Sequence, residues 1–280
     1  LRSSSAASDV YKRQEDIGEG DHSSLSCLQV TDLGTAKLIV KENGVLAGVE
    51  VAKRVFELYD STLEVEVFIN DGAAVAVGDI VLNVKGKAQS ILSTERLVLN
   101  IMQRMSGIAT KTSKIVDKIK DTGARVLDTR KTTPGIRRLE KMAVEIGGGM
   151  NHRFGLYDMI MLKDNHIDFV GGVRNAIEKT TAYVQAMDNP VDIEIEIRTK
   201  KELIEAISTG GIQRILLDNF TPEALKELVP LIPDSIESEA SGGITDASIR
   251  AYAETGVDFI SMGALTHSVK SLDLSLKAYF

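Results

Sequence analysis

Six short apolar runs in the second half of the chain end in, or are followed by, charged or glycine-rich residues. The runs span residues 125–128, 159–162, 193–197, 215–217, 236–240 and 258–262. The residues at their ends are, in order, Arg130-Lys131, Lys163, Glu196, Asp218-Asn219, Ser241-Gly242-Gly243 and Gly263-Ala264. In a parallel α/β barrel, the carboxyl ends of all strands meet at one rim, where active sites are built. Solvation alone would explain one such strand end, but six in succession favour a functional rim.

Two glycine loops on the last two runs are typical of a phosphate site. Ser241-Gly242-Gly243 and Met262-Gly263-Ala264 each follow a predicted strand and precede a predicted helix. Glycine lets backbone N–H groups approach an anion closely, and the last strands of a barrel often hold a phosphate in this way. His267 lies close enough to Gly263 in the sequence to donate to the same phosphate, although a structural role near the chain's end fits it equally well.

A cationic cluster lies between residues 130 and 163. This segment carries seven lysines and arginines against three acidic residues, in a chain whose net charge is −7. Because ordinary surfaces intersperse the two signs, the cluster indicates an anion site. Arginine suits carboxylates and phosphates, since its guanidinium donates two parallel hydrogen bonds. Two members, Arg138 and Lys141, also fit a solvated helix face. The other members are Arg130, Lys131, Arg137, Arg153 and Lys163, together with His152.

Two carboxylates near strand ends complement these cations. Glu196 closes an alternating run in which Glu194 shares its face at a deeper position, and Asp218 ends the next run. Two carboxylates beside a diphosphate suit Mg²⁺, and they also stabilise positive charge that develops on a sugar. Glu194 is the alternative to Glu196. The competing structural explanation is an ion pair between Glu196 and Lys163.

No residue pattern indicates covalent catalysis. The sequence contains neither a Gly-x-Ser-x-Gly elbow nor a His-Glu-x-x-His metal motif. Cys27 is the single cysteine, which excludes an intrachain disulfide and a multi-cysteine zinc site. The predicted site therefore works by electrostatics and positioning, as a glycosyl-type transfer from a phosphorylated sugar requires.

The elements that must position these residues fall into two predicted domains. Residues 15–106 form an α/β layer, with strands at 38–40, 48–50 and 63–68 and a helix from 94 to about 120 that Ser93 or Thr94 caps. Residues 107–267 alternate strands with helices, which predicts right-handed βαβ units and a barrel or near-barrel.

The two ends of the chain are assigned separately. We expect residues 268–280 to form a tail that packs back on the N-terminal domain. Residues 1–14 are rich in serine and alanine, without the apolar segment of a secretory signal, and are expected to be a non-native leader.

Composition bounds the possible classes of protein. The chain has 280 residues, of which 43% are hydrophobic and 26% charged, as expected for a folded globular protein. Its negative charge argues against nucleic acid as a partner, and no apolar run is long enough to span a bilayer. The single cysteine fits a reducing compartment, so we expect a cytoplasmic location.

Three longer motifs carry a family resemblance. Asp-Thr-Arg-Lys-Thr-Thr-Pro-Gly at 128–135, Gly-Gly-Gly-Met-Asn-His-Arg at 147–153 and Leu-Lys-Asp-Asn-His at 162–166 closely resemble the quinolinate phosphoribosyltransferase family. Further matches follow in family order from Glu15 to near the C-terminus. They lie at 15–21, 94–96, 216–220, 239–243 and 263–268.

The resemblance implies a fold and a reaction. The fold is an N-terminal α/β sandwich plus an incomplete TIM-like α/β barrel, the type II phosphoribosyltransferase fold. The assembly is a homodimer in which one sandwich covers the partner's barrel mouth. The reaction joins quinolinate to 5-phosphoribosyl-1-diphosphate with Mg²⁺, giving nicotinate mononucleotide, diphosphate and CO₂ in de novo NAD synthesis.

The resemblance also implies a role for each site residue. Arg130, His152, Arg153 and Lys163 match the quinolinate pocket, which Arg96 would reach from the neighbouring subunit. Lys131 matches a lysine at both substrates, and Arg137 matches a further substrate-site arginine. Glu196 and Asp218 match the magnesium and ribose side. The 5-phosphate loops are matched by Ser241, Gly242, Gly263 and His267.

Two departures and two alternatives accompany this hypothesis. Arg198 stands where the family more often has an acidic or small polar residue, and we expect it to perturb the metal side. The leader replaces the usual start of the first helix, which is expected to weaken the dimer cover. A related pyrophosphorylase-like phosphoribosyltransferase with another acceptor is disfavoured by the intact basic set. A non-catalytic phosphate-binding barrel is disfavoured because Lys131, Glu196 and Asp218 are all retained.

Overall fold

The computed structural model describes residues 16–279, so the expected leader at 1–14 and the adjoining Glu15 lie outside the described residues. The described chain forms two compact units. The first comprises residues 16–111, 138–147 and 269–279, and the second comprises 112–137 and 148–268. The sequence-based domains place 138–147 in the barrel, whereas its contacts group it with the first unit.

The first unit contains a four-stranded antiparallel sheet and a short strand pair. The sheet strands are β1 (Leu33–Val40), β3 (Glu64–Val67), β5 (Ile80–Lys87) and β12 (Leu274–Tyr279), and the pair is β2 (Gly44–Val45) with β4 (Ala74–Val75). The order in the sheet is β12-β1-β5-β3. The C-terminal strand therefore pairs with β1, with Leu276 opposite Leu38.

Two of the four described helices of this unit, those at Val49–Tyr59 and Ala88–Ile119, contribute to its apolar core. The four are α1 (His22–Cys27), α2 (Val49–Tyr59), α3 (Ala88–Ile119, which continues into the second unit) and α4 (Arg137–Ile146). Alternate residues of β1 are buried, namely Ala36, Leu38 and Val40, and they share one cluster with Phe56 and Val98 from the helices. The period of two along the strand thus places one face against the core.

Two local predictions for this unit are wrong. Residues 48–50 were predicted as a strand, but α2 begins at Val49, whose N–H donates to Asp71 Oδ1 at 2.8 Å. The apolar residues of α2 recur at helical spacing, but the three residues 48–50 are too few to show this period. The long helix begins at Ala88 rather than 94. Thr94 lies inside it, where its hydroxyl donates to Ser90 O at 2.8 Å and so serves no cap.

The second unit contains a six-stranded parallel sheet. Its strands are β6 (Arg125–Leu127), β7 (Ile160–Leu162), β8 (Ile193–Ile197), β9 (Arg214–Asp218), β10 (Glu237–Ser241) and β11 (Phe259–Ser261). Their order is β6-β11-β10-β9-β8-β7, so the first strand pairs with the last. All six predicted runs are confirmed as strands. A parallel bridge between Leu127 and Met150 adds a short segment beside β6.

Helices connect these strands, as the alternating pattern predicts. They are α5 (Asp164–Phe169), α6 (Val173–Gln185), α7 (Lys200–Thr209), α8 (Pro222–Leu228, followed by a 3₁₀ turn at Val229–Leu231), α9 (Ile249–Ala253) and α10 (Ala264–His267). Ile193, Ile195 and Ile197 are buried on one face of β8, while Glu194 and Glu196 share the other. The period of two therefore directs both carboxylates to one side of the sheet.

Candidate active site

A cavity of about 760 Å³ lies at the carboxyl ends of the strands of the second unit. Eleven of the residues that the sequence predicts for the site line it. They are Arg130, Lys131, His152, Arg153, Lys163, Glu196, Asp218, Ser241, Gly242, Gly263 and His267. Because parallel strands end at the same edge, residues far apart in the sequence converge on one cavity.

Three cations on the cavity lining are Arg130 and Arg153, which are half-buried, and Lys163, which is exposed. The Arg130 Nε is buried and has no hydrogen-bond partner among residues 16–279. Arg153 Nη1 donates to Met159 O at 3.2 Å. Burial lowers the pKa of Arg153, and the positive charge of Arg130 lowers it further. Two mutually repelling guanidiniums in a partly desolvated place are stabilised by an anion with more than one carboxylate.

A buried His-Glu-Glu cluster adjoins the cavity, which His152 and Glu239 help to line. The Nε2 of His152 lies 3.0 Å from Glu194 Oε2 and 3.4 Å from Glu239 Oε2. Burial lowers the pKa of His152, while its contacts with Glu194 and then Glu239 raise it. Glu194, the alternative to Glu196 as a magnesium or ribose ligand, lies beside His152 in this cluster.

One glycine loop, at Gly263, lies beside Lys131 and His267, and the other, at Gly242, lies beside Asn219. Gly242 has φ +95°, and a Cβ there would lie 2.2 Å from Asn219 Oδ1, so only glycine fits. A Cβ on Gly263 would lie 3.0 Å from Lys131 Cδ and from the His267 ring. The Thr266 hydroxyl donates to Lys131 O at 2.8 Å, which ties this loop to the lysine. Exposed backbone and cations thus converge where the sequence predicts a phosphate.

The two predicted metal-side carboxylates end neighbouring strands. Glu196 Oε2 lies 3.1 Å from Lys163 Nζ, so the ion pair proposed as a competing explanation is present. Asn219 donates its side-chain N–H to Asp218 Oδ2 at 2.6 Å. Asn219 has φ +58°, the left-handed conformation that asparagine tolerates better than most residues. Mg²⁺ is usually held by one or two carboxylates together with substrate phosphates, so this oxygen pair fits that ion.

Arg137 and Arg198 are not among the residues that line the cavity. The Arg137 guanidinium donates to Thr132 Oγ1 at 2.9 Å and to Phe154 O at 3.0 Å. It therefore braces the loop after β6. Arg198 pairs with Asp168 at 2.9 Å and with Glu202 at 2.8 Å, also outside the cavity lining. Its expected disturbance of the metal side is not supported by this position.

The remaining predicted residue, Arg96, belongs to the first unit. It lies on α3 and its side chain is exposed. Within the same unit, Lys141 is fully buried, so its alternative interpretation as part of a solvated helix face is wrong.

Two residues of the cavity were missed as functional candidates. Glu239 lies two residues before Ser241, so strand alternation places both side chains on one face of the sheet. The sequence does not show which residue pairs with an acidic side chain buried in that sheet. Asn219 lies in a matched motif, yet its left-handed backbone and its contact with Asp218 become visible only in three dimensions.

Comparison with known families accounts for both units. The family model for the N-terminal domain of quinolinate phosphoribosyl transferase matches residues 22–106, and the model for its C-terminal domain matches 108–277. The chain belongs to the quinolinate phosphoribosyltransferase family. Because both domain models match in order, the predicted family and fold class, a sandwich followed by an incomplete barrel, are confirmed.

Individual relatives agree with this membership. A probable carboxylating nicotinate-nucleotide pyrophosphorylase of Bacillus subtilis is 45% identical over 262 residues, covering 94% of this chain and 89% of the relative. A decarboxylating quinolinate phosphoribosyltransferase of Nicotiana tabacum is 42% identical over 94% of this chain and 79% of its own. The predicted enzyme class, a pentosyltransferase of pyridine nucleotide synthesis, is thereby confirmed.

Solved structures give the same result for the fold. NadC from Streptococcus pyogenes is 38% identical, with a TM-score of 0.91 over 100% of this chain and 97% of that one. The nicotinate-nucleotide pyrophosphorylase of Francisella tularensis is 36% identical, with a TM-score of 0.91 over 98% of this chain and 95% of that one.

Within residues 16–279, no helix combines the length and apolarity needed to cross a membrane.

Proposed function

We propose that the chain transfers the phosphoribosyl group of 5-phosphoribosyl-1-diphosphate to the ring nitrogen of quinolinate, with loss of one carboxylate as CO₂. The observation that carries this proposal is that one cavity is lined both by the cations Arg130, Arg153 and Lys163, here called the cationic side, and by the glycine loops at Gly242 and Gly263. A pyridine dicarboxylate suits the cationic side, and a sugar phosphate suits the glycine loops.

The cationic side favours a substrate with two carboxylates. Burial lowers the pKa of the Arg153 guanidinium, and the positive charge of Arg130 lowers it further, so both destabilise the unpaired cation. A second carboxylate neutralises charge that nicotinate, with one carboxylate, would leave unpaired. An unpaired buried charge costs several kcal/mol, so selectivity for quinolinate is expected to be on the order of a thousandfold.

The reaction needs positioning more than covalent chemistry. The pyridine nitrogen supplies the electron pair for its bond to the ribose C1, while diphosphate leaves with the electrons of the C1–O bond. Lys131, beside the Gly263 loop, is placed to neutralise charge on the phosphorylated substrate. Loss of CO₂ leaves an electron pair on the ring carbon, and that carbon then binds a proton. Ser241, Gly242, Gly263 and His267 are proposed to hold the 5-phosphate.

Glu196 and Asp218 are proposed to hold Mg²⁺ and to face the ribose. When bound, the ion would offset the charge of the diphosphate leaving group. The carboxylates themselves stabilise the positive charge that develops on the ribose as the C1–O bond breaks.

The assembly is proposed to be a homodimer in which Arg96 reaches the partner's quinolinate pocket. Exposed apolar side chains on each unit support a protein interface. They are Leu25, Val30, Leu33 and Leu92 on the first unit and Phe154, Leu156, Tyr157 and Phe169 on the second. A cytoplasmic location also belongs to this proposal, and the unpaired Cys27 is compatible with it.

The deciding experiment compares two acceptors. Purified protein is incubated with 5-phosphoribosyl-1-diphosphate, Mg²⁺ and either quinolinate or nicotinate, and nicotinate mononucleotide and diphosphate are measured. Rapid product formation with quinolinate alone is expected. Comparable turnover with nicotinate would assign another acceptor class, and binding without diphosphate release would indicate a non-catalytic barrel.

A further inference from the structure

His152, Glu194 and Glu239 form a cluster of buried titratable residues, and two of them, His152 and Glu239, line the cavity. All three side chains are at most 4% exposed. Among the described residues, it is the only group of three whose ligand atoms lie within 4.8 Å of one another. Two explanations are available for such a group, a metal centre or a hydrogen-bonded support.

The position of the histidine proton distinguishes these explanations. His152 Nδ1 accepts the backbone N–H of Arg153 at 2.6 Å, so Nδ1 presents a lone pair and the ring proton lies on Nε2. Nε2 is the atom that faces Glu194 and Glu239. A metal ion on Nε2 would require the proton on Nδ1, where it would meet the Arg153 N–H. The contacts therefore favour support over metal binding.

The surroundings of the cluster hold it in place. Arg214 Nη1 donates to Glu239 Oε2 at 3.3 Å, and its Nη2 donates to Glu237 at 2.7 Å. The guanidinium also lies 4.3 Å from the centre of the Phe259 ring. On the other side, Asp128 Oδ1 accepts the backbone N–H of His152 at 2.8 Å. The imidazole is thus held at Nδ1 by the Arg153 N–H and at its main chain by Asp128, while Nε2 faces the two carboxylates at 3.0 and 3.4 Å.

Arg153 is the residue that this arrangement affects. Its backbone N–H is bound by the His152 ring, and its guanidinium lines the cavity. We propose that Glu194 and Glu239 are positioning residues, which hold His152 as the Nε2–H form and thereby fix the main chain from which Arg153 meets a quinolinate carboxylate. Neither ring nitrogen of His152 then binds the substrate directly. This inference rests on the proposed function.

The test uses Glu194→Gln and Glu239→Gln, which keep the side-chain volume but weaken the attraction for the Nε2 proton. We expect the KM for quinolinate to rise by about tenfold or more, the cost of one poorly placed charged hydrogen bond, while the KM for 5-phosphoribosyl-1-diphosphate changes little. Glu140→Gln is the matched control, because Glu140 is equally buried but pairs with Arg104 in the first unit. This control is expected to lower the melting temperature without a selective effect on quinolinate.

A spectroscopic readout separates positioning from general damage. In ¹⁵N-histidine NMR spectra, His152 of the unmodified protein is expected to show the Nε2–H pattern, and both glutamine variants are expected to shift it. Unchanged His152 resonances with an unchanged quinolinate KM in folded variants would overturn the proposal. So would calorimetric binding of Zn²⁺ or Mn²⁺ that both variants abolish.

The same data distinguish this inference from the proposed function. If the unmodified protein forms no nicotinate mononucleotide from quinolinate, the proposed function fails. The NMR pattern then still decides whether the two carboxylates hold the imidazole.

Discussion

Lys163 Nζ lies 3.1 Å from Glu196 Oε2, so a cation predicted to bind quinolinate and a carboxylate predicted to serve the ribose form one ion pair. The lysine side chain is 47% exposed and the carboxylate 12%. A pair this open to solvent contributes at most about 1 kcal/mol to stability. The ion pair therefore adds little to the stability of the fold. We infer that its main role is to hold both charged groups at the cavity until the substrates bind.

Glu196→Gln separates these two roles. If Glu196 faces the developing ribosyl cation, kcat is expected to fall by roughly 10²–10³. Quinolinate affinity should stay constant or rise, because Lys163 loses a competing carboxylate. Single-turnover rates, calorimetry with quinolinate and melting temperatures are measured together. Glu202→Gln is the control, since Glu202 pairs with Arg198 outside the cavity. A normal rate with a lowered melting temperature would remove Glu196 from the catalytic residues.

Two substitutions of Asn219 distinguish the effect of backbone strain from the effect of its hydrogen bond to Asp218. Asn219→Gly accepts φ +58° without strain but removes the amide that donates to Asp218 Oδ2. Asn219→Ala removes the amide and also strains the backbone, by about 1 kcal/mol. We expect both variants to lose turnover, and only the alanine variant to lose melting temperature. If Asn219→Gly turns over normally, the contact with Asp218 has no role in the reaction.

The rim of the second unit was predictable because it depends on short-range patterns. Each apolar run is followed by its polar or glycine residues within a few positions, and parallel strands place those ends together. The eleven predicted residues that line the cavity were found in this way or through the family motifs.

The failures have physical causes that sequence periodicity does not contain. Val49 starts a helix because Asp71, from a later turn, binds its N–H. For Arg137, whose substrate role stays a prediction, the hydrogen bonds to the Phe154 carbonyl and the Thr132 hydroxyl are likewise not visible in sequence periodicity. In both cases contacts that form only in the folded chain determine the local structure around the residue.

The acid stability of the first unit is expected to depend on Asp60. Its carboxylate accepts hydrogen bonds from the Thr62 and Ser90 hydroxyls, at 2.6 and 2.8 Å. These bonds lower the pKa of Asp60 from 3.8 to about 2, with Lys87 adding a smaller attraction. Since the folded pKa is the lower one, the stabilisation is fully present above about pH 4 and is lost as the pH falls towards 2.

Asp60→Asn tests this dependence. The difference in melting temperature between the unmodified protein and the variant should be constant near neutral pH and should shrink below about pH 4. Asp121→Asn is a comparison on the exposed surface of the second unit, where Asp121 pairs with Arg250. A difference for Asp60→Asn that does not vary with pH would show that the hydrogen bonds do not require the charged carboxylate.

Mixing two inactive variants tests whether Arg96 serves the partner's site. Arg96→Ala and Lys131→Ala are each expected to abolish most activity. In a symmetric dimer with shared sites, a hybrid of the two carries one site that has lost both residues and one that is intact. Equal mixing and random reassembly should therefore restore about a quarter of the unmodified activity. If each subunit instead completes its own site, every site in the hybrid lacks one residue, and no activity returns. Differently tagged subunits, purified in two steps, verify the hybrid, so a hybrid without activity would place Arg96 within its own subunit's site or outside the reaction.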